Sequence, residues 1–252
     1  MVRNIKLKIA YDGTNYYGWQ TQLNRATIQE TIEKAISVVM KQEVNLTGSG
    51  RTDSGVHAIG QVANFIADTN IPREKIKIAL NANLPGDIRI MESDDVPLSF
   101  NSRFDAHNKT YMYQIYNDRV WNPFYSRYSC FVPANLDFER MEAAVKWLEG
   151  THDFKGFMSS GSNVKTTVRT VYEARLTRDE KEDKLIKLYI NGNGFLYNMV
   201  RIIAGTLIDI GKGIKSSDCI ENAIKTTDRT LLGQTAEPQG LFLMNVNYGI
   251  DD

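Results

Sequence analysis

The residues best placed to do chemistry lie in Gly48-Ser49-Gly50-Arg51-Thr52-Asp53-Ser54-Gly55-Val56-His57-Ala58. Its glycines permit backbone dihedrals that other residues resist, and they let a ligand approach the main chain closely. A carboxylate, Asp53, is centred among them, with Arg51 before it and His57 after it. A phosphate-cradling loop would need a Gly-Lys-Ser/Thr ending, and Asp53 would repel the phosphate. A calcium loop would need alternating acidic ligands closed by a glutamate, which are missing. On spacing alone the plainest reading is a tight connection in which Arg51 and Asp53 form a solvated pair. The chemical rival is a hydrolase that uses Asp53 and His57 as acid and base.

Metal chemistry is not indicated. His152-Asp153 suggests a pair of ligands, yet the chain has only three histidines and no H-x-x-x-H spacing. Cys130 and Cys219 are far apart and outside any C-x-x-C spacing, so they read as buried thiols of a reducing cytosol. No cofactor or metal is expected.

The elements that must hold the Asp53 loop are legible in outline. Ile5, Leu7, Ile9 and Tyr11 alternate with polar residues up to Asp12-Gly13, the period of a half-buried strand. Thr27 and Glu30 have capping-box spacing, and Ile28, Ile32, Ala35, Ile36 and Val39 continue it as an amphipathic helix to about Lys41. Val44 and Leu46 suggest a second strand, and Val62–Ala67 a third that leaves the glycine-rich loop. A short helix follows Pro72 to about Leu80, Pro85-Gly86 closes it, and another strand covers Ile88–Met91.

The second half begins with Lys109–Tyr116, where Tyr111, Tyr113 and Ile115 share one strand face. Phe138–Glu149 reads as a helix with Gly150 as its C′ residue. Val168–Leu176 and Leu185–Ile190 form a hairpin across the charged stretch Arg178-Asp179-Glu180-Lys181-Glu182-Asp183. Helices over Leu196–Ile210 and residues 216–225 precede a last strand, Leu241–Tyr248. The pattern predicts an α+β protein of two similar halves, 1–105 and 106–252.

The 252 residues, 42% hydrophobic and 24% charged, describe a folded globular chain able to bury a sizeable core. The N-terminus leads directly into strand pattern, and no long uncharged apolar run follows, so neither a signal peptide nor a membrane span is expected. Formal net charge is zero, so nothing global advertises a polyanionic partner. Lys109, Lys165, Arg169 and the group Arg73, Lys75 and Lys77 are the local candidates for tracking phosphates.

Gly50-Arg51-Thr52-Asp53-Ser54-Gly55-Val56-His57-Ala58 resembles the signature of the TruA-type tRNA pseudouridine synthases, read as G-R-T-D-x-G-V-H-A, at every fixed position. Further segments are similar to that family: Tyr11-Asp12-Gly13-Thr14, Gly18-Trp19-Gln20, Lys109-Thr110-Tyr111-Met112-Tyr113 and His152-Asp153-Phe154. Gly194-Phe195-Leu196-Tyr197-Asn198-Met199-Val200-Arg201 and Gly240-Leu241-Phe242-Leu243 extend the likeness over nearly the whole chain. Glu237-Pro238-Gln239 departs from it, since a more apolar stretch is common there.

The resemblance implies a mostly antiparallel sheet with the active-site cleft between the two halves, in a homodimeric, cytoplasmic, cofactor-free enzyme that isomerises uridine at positions 38 to 40 of the tRNA anticodon stem-loop. It makes Asp53 the catalytic carboxylate, leaving open whether it attacks the sugar or acts as a base. Arg201 would hold that carboxylate ionised, although spacing alone would make it a solvated helix position. Tyr111 would stack on the uracil, where residue type alone suggests a core aromatic. Arg51 would help displace the base from its stack or contact phosphate. Leu241 would line the pocket or simply fill the core, and His57 would be a framework residue. Two rivals stay within RNA biology: a paralogue with a different or narrower RNA target, and a non-catalytic RNA-binding module.

Overall fold

The computed structural model describes residues 1–161, 164–179 and 182–249. The chain divides into two compact units, Met1–His107 with the stretch from Phe242 onward, and Asn108–Leu241.

In the first unit, strand β1 (Val2–Tyr11) is followed by helix α1 (Ile28–Met40), the two-residue strand β2 (Thr47–Gly48), β3 (His57–Asp68), helix α2 (Arg73–Asn81) and β4 (Ile88–Val96). The alternation seen in the sequence is realised: Ile5, Leu7, Ile9 and Tyr11 are buried, and β1 pairs antiparallel with both β3 and β4. Helix α1 buries Ile28, Ile32, Ala35, Ile36 and Met40, and ends on Lys41 at φ 56°. Helix α2 buries Ile76 and Leu80.

Three local expectations fail here. The capping box does not form: Thr27 is extended without a side-chain cap, and Glu30 reaches forward to Lys34 at 2.6 Å. Val44–Leu46 is not a strand, because side chains of α1 take its backbone groups. Glu33 Oε1 accepts the Leu46 N–H at 2.9 Å, and Gln29 Nε2 donates to the Leu46 carbonyl at 3.1 Å. Strand β3 starts at His57, so the signature ends inside it rather than before it.

The second unit begins with β5 (Asn108–Asn117) and β6 (Cys130–Val132), which pair in parallel. Helix α3 (Phe138–Val145) starts on Asp137, whose carboxylate accepts the Arg140 N–H at 3.1 Å. It is shorter than its sequence pattern, since residues 146–148 form a 3₁₀ turn and Gly150, at φ +110°, opens strand β7 (Gly150–Asp153). Strands β8 (Val168–Arg178) and β9 (Leu185–Gly192) complete the antiparallel order β5-β9-β8-β7. Of the charged stretch expected to join β8 and β9, Glu180 and Lys181 lie outside the described residues. Helices α4 (Met199–Gly211) and α5 (Cys219–Thr226) follow, and α4 is buried along most of its length.

The final strand, β10 (Leu241–Asn247), was assigned by the sequence pattern to the 106–252 half. From Phe242 onward it belongs to the first unit, pairing in parallel with β3 through Phe242 opposite His57 and Leu243 opposite Ala58. No local pattern encodes a partner so distant in sequence. Among the described residues, no helix is long and apolar enough to cross a membrane.

Candidate active site

The Asp53 loop is fixed from beneath by a buried polar network. Gln61, in β3, has no exposed surface; its Oε1 accepts the Ser49 hydroxyl at 2.6 Å and its Nε2 donates to the Gly50 carbonyl at 3.0 Å. Ser49 N–H donates to the Val62 carbonyl at 2.8 Å. At the loop's centre the Tyr11 hydroxyl lies 2.8 Å from Thr52 Oγ1. Burial pushes the Tyr11 hydroxyl well above its ordinary range, so it stays protonated as part of this network.

The segment between β1 and α1 clasps the loop from the other side. Trp19 N–H donates to the Thr52 carbonyl at 3.0 Å, and the Tyr16 carbonyl accepts the Gly55 N–H at 3.3 Å and the Ser54 hydroxyl at 3.2 Å. Gly18 is required: its φ is +85°, and a Cβ would sit 2.6 Å from the Thr52 carbonyl oxygen. Asp53 is left half-buried, and its carbonyl turns the chain by accepting the Val56 N–H at 3.1 Å. Arg51 is exposed and has no hydrogen-bond or ion-pair partner among the described residues. The solvated Arg51–Asp53 pair therefore does not form.

His57 lies under the loop. It is 1% exposed, stacked on Phe242 with ring centroids 4.7 Å apart, and its Nδ1 accepts the Gly13 N–H at 3.1 Å. The same nitrogen lies 3.2 Å from Asp12 Oδ1. Both contacts fall on the one ring nitrogen, so Nδ1 ties the ring to the Asp12-Gly13 turn. This is framework geometry, and it removes His57 as the exposed acid or base of a hydrolase.

The second unit holds the other candidates. Tyr111 is on β5, 9% exposed, with the Phe195 ring edge-on to it at 5.1 Å. Arg201, on the first turn of α4, is half-buried; its Nε donates to the Ala236 carbonyl at 2.8 Å and one terminal nitrogen donates to Asn198 Oδ1 at 2.9 Å. Asn198 takes the left-handed conformation at φ 62°, and its own amide donates to Ser159 at 3.0 Å. These bonds fix the guanidinium plane. Leu241 is 6% exposed and follows the 3₁₀ turn Pro238–Gly240. At the departing stretch, the main-chain carbonyl of Glu237 accepts the Tyr113 hydroxyl at 2.7 Å, a bond that does not depend on the side chain. Among the described residues, no group of histidine, cysteine and carboxylate side chains could hold a metal ion.

Sequence reasoning missed Tyr11, Thr52, Gln61 and Ser49 as a unit, and Asn198 as the holder of Arg201. The available signal was Gln61 beside the apolar run Val62-Ala63, a polar residue in a buried strand that must find partners.

Comparison with known proteins gives a consistent picture. A family model described as tRNA pseudouridine synthase matches residues 8–105 and 144–249. The chain is 48% identical to the tRNA pseudouridine synthase A of Acetivibrio thermocellus over 247 residues, covering 98% of this chain and 100% of that one. It is 49% identical to the protein of that name from Caldicellulosiruptor bescii, with the same coverage. It is also 47% identical over 250 residues to tRNA pseudouridine synthase A 2 of Clostridium tetani.

Proposed function

Because the chain belongs to the tRNA pseudouridine synthase family, we propose that it converts uridine to pseudouridine in the anticodon stem-loop of tRNA, at positions 38 to 40. The observation that carries this reading is Asp53: a half-buried carboxylate at the centre of the family signature, on a loop whose backbone is bonded on both sides.

The reaction breaks the bond between ribose C1′ and uracil N1, turns the base, and joins C1′ to C5, from which a proton departs while the freed N1 gains one. Nothing is oxidised or reduced, so no cofactor is called for. Asp53 supplies the carboxylate that acts on the ribose, as nucleophile or base. Tyr111, Arg201 and Leu241 bind the uridine, and Arg51, exposed two residues before Asp53, contacts the RNA from which the base is drawn. The protein works in the cytoplasm as a homodimer. Burial of His57 disfavours the acid–base hydrolase.

The test is tritium release from tRNA transcripts labelled at uridine C5, without added metal or cofactor. The native protein releases tritium and Asp53→Asn does not, although it still binds tRNA. Native-level release by Asp53→Asn would remove the carboxylate from the mechanism. No release from any tRNA by the native protein would favour a binding module or a different RNA target.

A further inference from the structure

We infer that the Tyr17–Arg25 pair, beside the Asp53 loop, is a nucleotide subsite that stacks an unpaired base of the RNA substrate and contacts its phosphate. The proposal rests on the function proposed above and assigns it a recognition element outside the signature.

The pair is exposed and yet ordered by the chain around it. Tyr17 is 46% exposed, and the Arg25 guanidinium carbon lies 4.2 Å from its ring centroid. Tyr17 N–H donates to the Ala26 carbonyl at 2.9 Å, and Gln22 Nε2 donates to the Tyr17 carbonyl at 2.8 Å. A bridge between Gln22 and Arg25, with Asn24 left-handed at φ 58°, closes the turn that carries Arg25. The ring and the cation are thus held together before any ligand arrives, which lowers the ordering cost of binding.

Its place in the chain ties it to the catalytic loop. Tyr17 lies between Tyr16, whose carbonyl holds Ser54 and Gly55, and Gly18, which packs against Thr52 and Asp53. Whatever rests on Tyr17 is therefore positioned relative to the Asp53 backbone.

The chemistry selects nucleic acid. Among the described residues the Arg25 side chain has no hydrogen-bond acceptor, so its N–H groups remain available to a phosphate. Glu30, the carboxylate lining the adjoining hollow, is taken by Lys34 at 2.6 Å. That shallow hollow is lined by Thr21 to Ala26, Glu30 and Lys34. A guanidinium stacked over a half-exposed tyrosine ring is a platform on which proteins hold unstacked bases. Arg51, exposed on the neighbouring loop and without a hydrogen-bond or ion-pair partner among the described residues, adds a second cation.

The test compares native protein with Tyr17→Ala, Arg25→Ala and Tyr17→Phe, by anisotropy of a labelled anticodon stem-loop RNA and by steady-state tritium release. Each alanine variant should weaken RNA binding and raise KM about tenfold with kcat retained, and Tyr17→Phe should bind as the native protein does. Arg25→Ala should also reduce the salt dependence of binding by about one counterion. Native affinity and salt slope in both alanine variants would overturn the proposal, as would a fall in kcat with KM unchanged. Absence of tritium release from the native protein would instead sink the isomerase reading, while the binding arm would still report on the subsite.

Discussion

The Tyr11 hydroxyl lies 2.8 Å from the Thr52 side chain, so the last residue of β1 bonds directly to the residue before Asp53. Tyr11 is 4% exposed and Thr52 7%, so neither hydroxyl has water as a ready alternative. The sheet's interior is thereby coupled to the backbone that carries the Asp53 carboxylate.

Tyr11→Phe keeps the ring and removes the bond. A buried polar group left unsatisfied costs about 1–3 kcal/mol, so denaturant unfolding should show a loss of that size. Because Thr52 is loosened and no RNA contact is removed, tritium release should show a lower kcat with KM for tRNA unchanged. An unchanged kcat would mean that the other loop bonds suffice to place Asp53.

Gly18→Ala tests the opposite side of the loop. The new Cβ would stand 2.6 Å from the Thr52 carbonyl oxygen at a residue with φ +85°, and backbone cannot yield as a flexible side chain can. Strain of this kind costs about 1–3 kcal/mol, so both stability and kcat should fall. Gly86→Ala is the control, since a Cβ there meets nothing within 4 Å.

The contrast between these two flanks explains what was legible beforehand. Helix α1 and strand β1 follow from the periodicity of Ile28, Ile32 and Ile36 and of Ile5, Leu7 and Ile9, because burial repeats at the helix or strand period. The catalytic reading of Asp53 rests on the resemblance around it, not on spacing, which favours a solvated pair with Arg51. The pairing of β10 with β3 and the convergence of Tyr11, Thr52 and Gln61 are long-range, and no local window contains them. Strands β6 and β7 are too short to establish a period.

Asn198 holds Arg201 from a left-handed backbone, so two substitutions separate its roles. Asn198→Gly relieves the backbone and removes the hydrogen bond, whereas Asn198→Ala removes the bond and adds strain. Both should lower kcat/KM about tenfold or more, the scale of a hydrogen bond to a charged group. Only the alanine variant should be markedly less stable in thermal unfolding. Native kcat/KM in the glycine variant would show that Arg201 needs no such holder.

Thr27 offers a gain instead. Its Oγ1 is buried without a hydrogen-bond partner among the described residues, and its backbone is extended at φ −129°. Thr27→Val keeps the branched shape suited to that backbone and removes the unsatisfied hydroxyl, so stability should rise by up to about 1 kcal/mol in denaturant titration. A loss of stability would imply that the hydroxyl is satisfied in solution.

Alkaline pH should unfold the protein through its buried tyrosines. Burial raises the hydroxyls of Tyr11 and Tyr113 above the ordinary tyrosine value of 10.0, and Tyr113 has no exposed surface. Above pH 10.0 the unfolded chain loses these protons while the folded chain retains them, so folding carries an increasing penalty as pH rises towards the folded-state values. Each such tyrosine should reduce stability by roughly 1.4 kcal/mol per pH unit in that window, and the contribution is fully present below it. Tyrosinate absorbance followed beside circular dichroism provides the measurement. The buried tyrosines, Tyr11 and Tyr113 among them, should ionise only with the loss of secondary structure, and Tyr11→Phe should lower their number by one; ionisation before unfolding would contradict the burial argument.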